Sequence, residues 1–558
     1  MRPALLFAAL LAVPLDLAAA PPRPADLVIT HGRVWLGGTR FAEALAIRDH
    51  RIVALGTTKA VLKLAGRRTV RIDAKGGSVL PGLQDAHLHL LSGGRSLRQA
   101  DLSGATSLED LQARIRAYAA AHPEQPWIRG RGWVYHTFPG ALPTKAQLDA
   151  ILPDRPAYLR AYDGHTAWVN SKALALAGLT AKTPDPAGGT VVRDAQGEPT
   201  GALKEAAQSL MDAVLPQPTE AEDLEALRAA IRAAHRVGLT GIGEAGCTPE
   251  EFQRFLTLQQ RGELRLRTTA ALQVDPDTTP DGLEALRAIR RTLKPNPFLR
   301  TGPIKMYIDG VVESHTASLL APYADLPHSK GQTQWEPGRF RQRVLELDRE
   351  GWQIWVHAIG DGGVRLVLDS YEAAAKANGP RDRRHRLEHV ETVDAADIPR
   401  FGALGVVASQ QPLHGSPEGL DAWIPPLGPD RAGRGWAYGS LHAAGAPLAF
   451  GSDWPVVTQD PRIGLHQALT RTDLKGQPAG GWHPEQRLPL ATALEAYTSG
   501  AAWAAFQEDR LGTLKVGRPA DVVVFAKDLF TLDPQALPTV PVAATIFDGE
   551  VVYRAEAP

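Results

Sequence analysis

The chain of 558 residues has one cysteine, Cys247, and only three methionines. A lone cysteine permits no internal disulfide and rules out a thiolate cluster as a metal site. Net charge is lacking too: Lys plus Arg is 61 and Asp plus Glu is 61. No overall field therefore favours nucleic acid, an anionic membrane or a polyacidic partner. Beyond Met1–Ala20 no apolar run is long enough for a membrane-spanning helix. There is no GxSxG elbow to signal a serine nucleophile, and nothing near Cys247 marks it as activated. The partner these absences leave is a small molecule, with no nucleic acid and no membrane, and with a homodimer as the assembly to test for.

What is present is 44% apolar and 22% charged residues without biased tracts, the composition of a globular protein with a large core. The length calls for at least two domains. At the start, "MRPALLFAALLAVPLDLAAA" sets Arg2 before an apolar stretch that ends in Ala18, Ala19 and Ala20. That is the pattern of a secretory signal cut near Ala20, so a periplasmic or secreted protein is expected.

Short β-branched runs, "ADLVITHGRVWLGG" and "EALAIRDHRIVALG", follow the leader, and the same texture returns in "GTLKVGRPADVVVFAKD" and "VAATIFDGEVVYRAEAP". They predict a small β-sandwich built from both chain ends, residues 25–77 and 505–556; two unrelated edge hairpins are the alternative. Between them, helical runs such as "EDLEALRAAIRAAHRVG" alternate with apolar runs such as "GPIKMYIDG", "WQIWVHAIGDG" and "GVVASQQP". Repeated strand, loop and helix over residues 78–504 predicts an α/β fold, a TIM-like (β/α)8 barrel, with an open doubly wound sheet as the alternative. Residues from about 94 to 216 exceed what one βα unit needs, so an inserted subdomain over the barrel mouth is expected.

The chemistry-bearing residues sit where these apolar runs end. In "VLPGLQDAHLHLLSGG", His87 and His89 are two apart on a strand, so both imidazoles project from one face. An HxH pair alone is equally well a structural pair. His357 ends the run in "WQIWVHAIGDGG", His389 follows the short run in "HRLEHVE", and Asp453 follows "PLAFG". Singly these read as a core histidine, a surface histidine and a helix N-cap; together, each at the C-terminal end of a strand, they would face one barrel mouth. Lys305 lies inside the apolar "GPIKMYIDG", where a cation is costly unless paired, for instance with Asp309, or chemically altered. Trp127, Trp133, Tyr135, Trp168, Trp423 and Trp454 either line a pocket or simply pack, and packing is the more economical expectation.

These stretches resemble the amidohydrolase superfamily of metal-dependent hydrolases, in particular its YtcJ-like, amidohydrolase 3 branch, from about Ala25 to Tyr553. The resemblance implies that His87 and His89 bind one metal, that His357 and His389 bind a second, and that a carboxylated Lys305 bridges them. It further implies that Asp453 contacts metal and water, with two Zn2+ per chain as the cofactor. "DGHTAWVNS" with His165 and Asn170, "GALKE" with Glu205, and "SQQPLH" with Gln411 and His414 are similar to pocket-lining segments of the family. "DGVVESHTA" departs from it, placing Glu313 and His315 where small residues and an arginine are expected, which bears on the substrate's leaving group or carboxylate. The implied activity is hydrolysis of an amide-type C–N bond (N-acyl, N-formyl or cyclic) in a small molecule. Water made acidic by the metal would attack, Asp453 would act as general base, and His165 or the second metal would polarise the carbonyl. The alternatives are a mononuclear deaminase of the same fold, or a binding or regulatory protein that keeps the barrel without turnover.

Overall fold

A computed structural model of the chain describes residues 23–138, 142–162, 164, 166–186 and 189–556. The expected export signal, residues 1–20, lies outside them. At the centre is an eight-stranded parallel sheet whose strands follow one another in chain order. They are β1 (Leu83–Leu88), β2 (Leu239–Cys247), β3 (Arg267–Gln273), β4 (Leu299–Tyr307), β5 (Gln353–Ala358), β6 (Arg386–His389), β7 (Val407–Gln410) and β8 (Leu448–Phe450).

Helices follow most strands and cover the outside, so strand residues are buried on both faces and read as near-continuous apolar runs. In "QIWVHA" of β5 only His357 is not fully buried. The helices start on clear signals. Thr219 and Glu222 form a capping box for Glu220–Arg236, and Thr248 and Glu251 do so for Pro249–Gln260. Their apolar stripes, Leu224, Leu227 and Ile231 in the first and Phe252, Phe255 and Leu258 in the second, join the main core.

The barrel closes at its C-terminal end through the loop after β8. The Asp453 and Ser452 amides donate to the His87 carbonyl (2.7 and 3.2 Å), and the His89 amide donates to the Trp454 carbonyl (2.8 Å). Further down the seam, the Gln84 amide turns away from β8 and donates to the Tyr497 carbonyl (2.8 Å). Close approach here demands glycine: a Cβ on Gly451 would stand 2.5 Å from the His87 nitrogen, and one on Gly93 would stand 2.0 Å from the Trp454 ring.

The chain ends do combine. Val522–Phe525, Val542–Phe547 and Glu550–Arg554 share a six-stranded sheet with Ser78–Pro81, Arg33–Trp35 and Phe41–Ala42. A four-stranded sheet of Arg51–Gly56, Ala44–Arg48, Ala25–Thr30 and Ala65–Asp73 packs on it. Leu27, Ile29 and Ile47 of one sheet and Val79, Val522 and Ile546 of the other lie in one apolar cluster. Ser78–Pro81 belongs to this sandwich, so the barrel begins at Leu83 rather than at residue 78. Gly82 makes the turn between the two, its Cα so near Thr240 that a Cβ would fall 2.1 Å from Oγ1.

The inserted region carries a six-stranded sheet of its own, running in space from Gly189–Arg193 to Ala100–Asp101, with apolar clusters on its two faces. It leaves the barrel after Leu90–Ser96 and returns at Glu220–Arg236, hence from the end of the barrel that bears the histidines. Trp127, Trp133, Trp168, Trp423 and Trp454 all belong to apolar clusters, as ordinary packing predicts. No helix among the described residues is long and apolar enough to cross a membrane.

Candidate metal centre

Four strand ends and the closing loop bring the histidines, the lysine and the aspartate to one place. The ring of His87 lies 5.7 Å from that of His89 and 4.8 Å from that of His389, and His357 lies 4.5 Å from His389. His87 Nε2 is 3.4 Å from both Lys305 Nζ and Asp453 Oδ1, and His89 Nε2 is 3.2 Å from Asp453 Oδ1. Register explains the convergence: Tyr307 of β4 pairs with His357, and Ala358 of β5 pairs with His389.

His87 is aimed from behind. Its Nδ1 donates to Glu388 Oε2 at 2.5 Å, so Nε2 is the nitrogen presented to the cluster. Glu388 in turn accepts from Arg386 Nε and Nη2 (2.7 and 2.8 Å), and the Arg386 guanidinium carbon sits over the Trp355 ring, 3.6 Å from its centre. A carboxylate on the far nitrogen is the usual device for fixing the tautomer and ring orientation of a metal-binding histidine. His357 is fixed otherwise, donating from Nε2 to the Gly310 carbonyl at 3.2 Å, which leaves Nδ1 as its free nitrogen. Asp85 accepts from the His87 amide (3.1 Å), the Ser452 amide (3.0 Å) and the Ser452 hydroxyl, stitching β1 to the loop that carries Asp453. Burial pushes Asp85 up to about 7.

The protonation states suit ligation. Burial brings His357 down to about 3, with the Lys305 charge adding to the effect, and it holds His389 well below and His89 below the ordinary imidazole value. These rings are neutral at neutral pH, the form that binds a cation. Burial alone would raise Asp453, but the close approach of His87 and His89, with His389 nearby, holds it well below the usual carboxylate range. Burial lowers Lys305 to about 8. Its expected alternative partner, Asp309, is committed elsewhere: Oδ2 accepts from the Ser318 and Gly360 amides and Oδ1 from the Ile359 amide, at 2.9–3.0 Å.

Whether these residues fit a divalent cation is tested by their unspent atoms. Buried polar atoms are nearly always hydrogen-bonded, yet among the described residues His389 Nδ1, His414 Nε2, Asp453 Oδ1 and the Gln411 amide have no hydrogen-bond partner. His87, His89 and Asp453 offer ligand atoms within 4.8 Å of one another, and so do His389, His414 and Asp453. Neutral imidazoles with one carboxylate are the donor set of zinc and similar ions. The residues fit.

Not every expected residue joins this cluster. Gln411 is buried directly after β7, His414 follows it with its side chain 11% exposed, and the His414 ring stacks on His389 at 6.0 Å. Asn170 requires correction as a pocket residue. Fully buried, it caps Ser171–Leu176 and spends its side chain on the Ala157 and Ala173 amides and the Leu152 and Arg155 carbonyls. His315 also stands apart, bonding Asp325 at 2.9 Å and packing on Tyr323. Glu205 ends Pro199–Glu205 with φ at 50°, an exposed residue of the inserted sheet. His165 lies outside the described residues. The sequence reading missed Glu388, Asp85 and Glu391, and no local signal in "RLEHVE" marks Glu388 as the partner of His87.

A parallel eight-stranded barrel with imidazoles and a carboxylate converging at the C-terminal strand ends defines the class of metal-dependent hydrolases. Comparison with known proteins agrees. Residues 71–553 match the Amidohydrolase family. Protein LONG AFTER FAR-RED 3 of Arabidopsis thaliana is 34% identical over 95% of this chain and 92% of its own. The amidohydrolase-family protein YtcJ of Bacillus subtilis is 30% identical over 93% and 99%, and an N-substituted formamide deformylase of Arthrobacter pascens is 26% identical over 95% and 98%. A crystal structure of an uncharacterized metal-dependent hydrolase from Pyrococcus furiosus superposes with a TM-score of 0.72 at 25% identity, covering 91% of this chain and 99% of that one. The chain belongs to the amidohydrolase family, in its YtcJ-like branch. It is a hydrolase whose site suits a divalent metal.

Proposed function

We propose that this hydrolase cleaves an amide-type C–N bond, N-acyl, N-formyl or cyclic, in a small molecule, and that the protein is exported. The observation that carries the reading is Asp453: a buried carboxylate with one oxygen unspent, 3.4 Å from His87 Nε2 and 3.2 Å from His89 Nε2, at the point where the strand ends meet. The formamide-cleaving relative, similar over nearly its whole length, supports the bond type. The leader ending in Ala18–Ala20 supports export.

His87, His89, His357 and His389 would hold two divalent cations, most simply Zn2+, with Lys305 carboxylated between them. Bound cations supply a Lewis acid for the substrate carbonyl and lower the pKa of water to about 7. The chain's own residues do the rest. Asp453 orients the attacking water, takes its proton as the oxygen meets the carbonyl carbon, and returns that proton to the departing nitrogen. Glu388 keeps His87 from turning, and the Asp85–Ser452 contact keeps Asp453 against the histidines. Lys305, lowered to about 8 by burial, has an accessible neutral amine with which to take up CO2.

The test is turnover of the metal-reconstituted protein on N-acyl, N-formyl and cyclic amides beside amino-heterocycles. Release of amine from the amides that Asp453→Asn abolishes supports the reading. Ammonia released only from the amino-heterocycles, at one metal per chain, would replace it with a deaminase.

A further inference from the structure

His414 belongs to the "SQQPLH" stretch that the sequence assigns to substrate binding, but its surroundings match those of a metal ligand. Its Nδ1 lies 3.5 Å from Glu391 Oε1, while Nε2, buried and without a hydrogen-bond partner among the described residues, lies 4.0 Å from Asp453 Oδ2. Glu391 is itself fixed: its other oxygen accepts from Trp423 Nε1 (3.0 Å), and its carbonyl accepts from the Trp436 amide (2.9 Å).

This resembles, at longer range, the arrangement at His87, where Glu388 holds Nδ1 at 2.5 Å and Nε2 faces the cluster. Both carboxylates come from one short stretch, "EHVE", on either side of His389. The positive φ of His389 (72°) and Val390 (49°) swings Glu391 away from the strand direction and under His414. A glutamate facing the rear nitrogen of a histidine whose buried front nitrogen faces a carboxylate is the pattern of a ligand, because it favours one tautomer and raises the basicity of the free nitrogen. A substrate-binding histidine has no need to stack in parallel on a second imidazole whose own Nδ1 is unspent.

We propose that His414 is a metal ligand, joining His389 and Asp453 to hold the second cation, and that Glu391 is the positioning residue that orients it. The proposal rests on the reading that the site holds divalent cations, but not on the reaction they serve.

The experiment is Co2+ titration of the metal-stripped full-length protein, followed by visible absorption and by metal analysis after desalting. Wild type should take up two equivalents. His414→Ala should keep the first, held by His87 and His89, and lose the second with its absorption bands; added imidazole should restore them. Glu391→Gln should keep two equivalents but weaken the second about 10–100-fold. His414→Gln, compared by thermal unfolding of the metal-free protein, guards against a folding defect. Two equivalents with wild-type affinity and spectrum in His414→Ala would overturn the proposal and return His414 to the substrate. A single equivalent in wild type would overturn it as well. Because no step reads turnover, an inactive amide panel would defeat the hydrolytic reading while leaving this one standing.

Discussion

Replacing Glu388 should damage the protein in two separable ways. Glu388 is fully buried and accepts three hydrogen bonds, two from Arg386, which is 1% exposed, and one from His87. A glutamine there has one acceptor oxygen and an NH2 group, so in either orientation a donor meets a donor and Arg386 becomes a buried cation without a counter-charge. Breaking a buried pair from one side costs about 3–5 kcal/mol. Independently, His87 loses the anchor that presents Nε2, which should weaken metal binding about 10–100-fold. The two effects part in the double variant Arg386→Met/Glu388→Gln. The stranded charge is gone, so most of the stability should return, while metal affinity stays low because nothing anionic holds His87. Stability is read by urea denaturation of the metal-free protein, and affinity by competition with a chromogenic zinc chelator. The reasoning fails if Glu388→Gln binds zinc as wild type does, or if the double variant recovers affinity along with stability.

Lys305→Ala should reduce bound metal from two equivalents to fewer than one, and bicarbonate should restore metal uptake to CO2-depleted wild type but not to the variant; unchanged metal content would refute the bridging carbamate. Asn170→Ala should cost roughly 2–4 kcal/mol, since it strips a helix cap and leaves buried amides and carbonyls unpaired, and should leave metal content unchanged; a metal or KM effect without a stability loss would restore Asn170 to the pocket. Burial lowers His235 to about 4, while its Nε2 donates to the Arg265 carbonyl at 2.8 Å. The folded state therefore resists a proton that the unfolded chain accepts below 6.5. Its contribution is whole above that pH and declines on acidification until about pH 4, by up to about 3 kcal/mol. The stability advantage of wild type over His235→Gln should shrink accordingly between pH 7.5 and 4.5 in urea titrations, and a constant difference would count against the assignment.

The barrel was legible because short apolar runs alternate with helical ones, and the residues that cluster at its mouth were legible because most of them stand at or near the end of such a run, a local pattern that needs no knowledge of partners. The residues behind the cluster were not. Glu388 meets His87 across 301 positions of sequence, and a glutamate beside a histidine looks the same whether it faces solvent or an imidazole. Asn170 misled for the converse reason: a polar residue at the end of "TAWVN" resembles a pocket residue until its four bonds to the chain around it are seen. The sandwich boundary slipped by a few residues because "VLPGL" is apolar on both sides of the Gly82 turn, and only pairing with Val522–Phe525 separates its halves.

The seam between β1 and β8 carries a consequence for biosynthesis. Asp85 and Ser452, the two sides of that join, are 367 residues apart, so the contact that carries Asp453 to its histidines is among the most expensive in loop entropy and among the last available to a growing chain. An incomplete chain can expose the HxH pair but cannot assemble the reaction site around it. Ring closure therefore comes late: the Asp453 carboxylate reaches the histidines only once the chain has been made past residue 453, and a chain cut short of the closing loop lacks that contact.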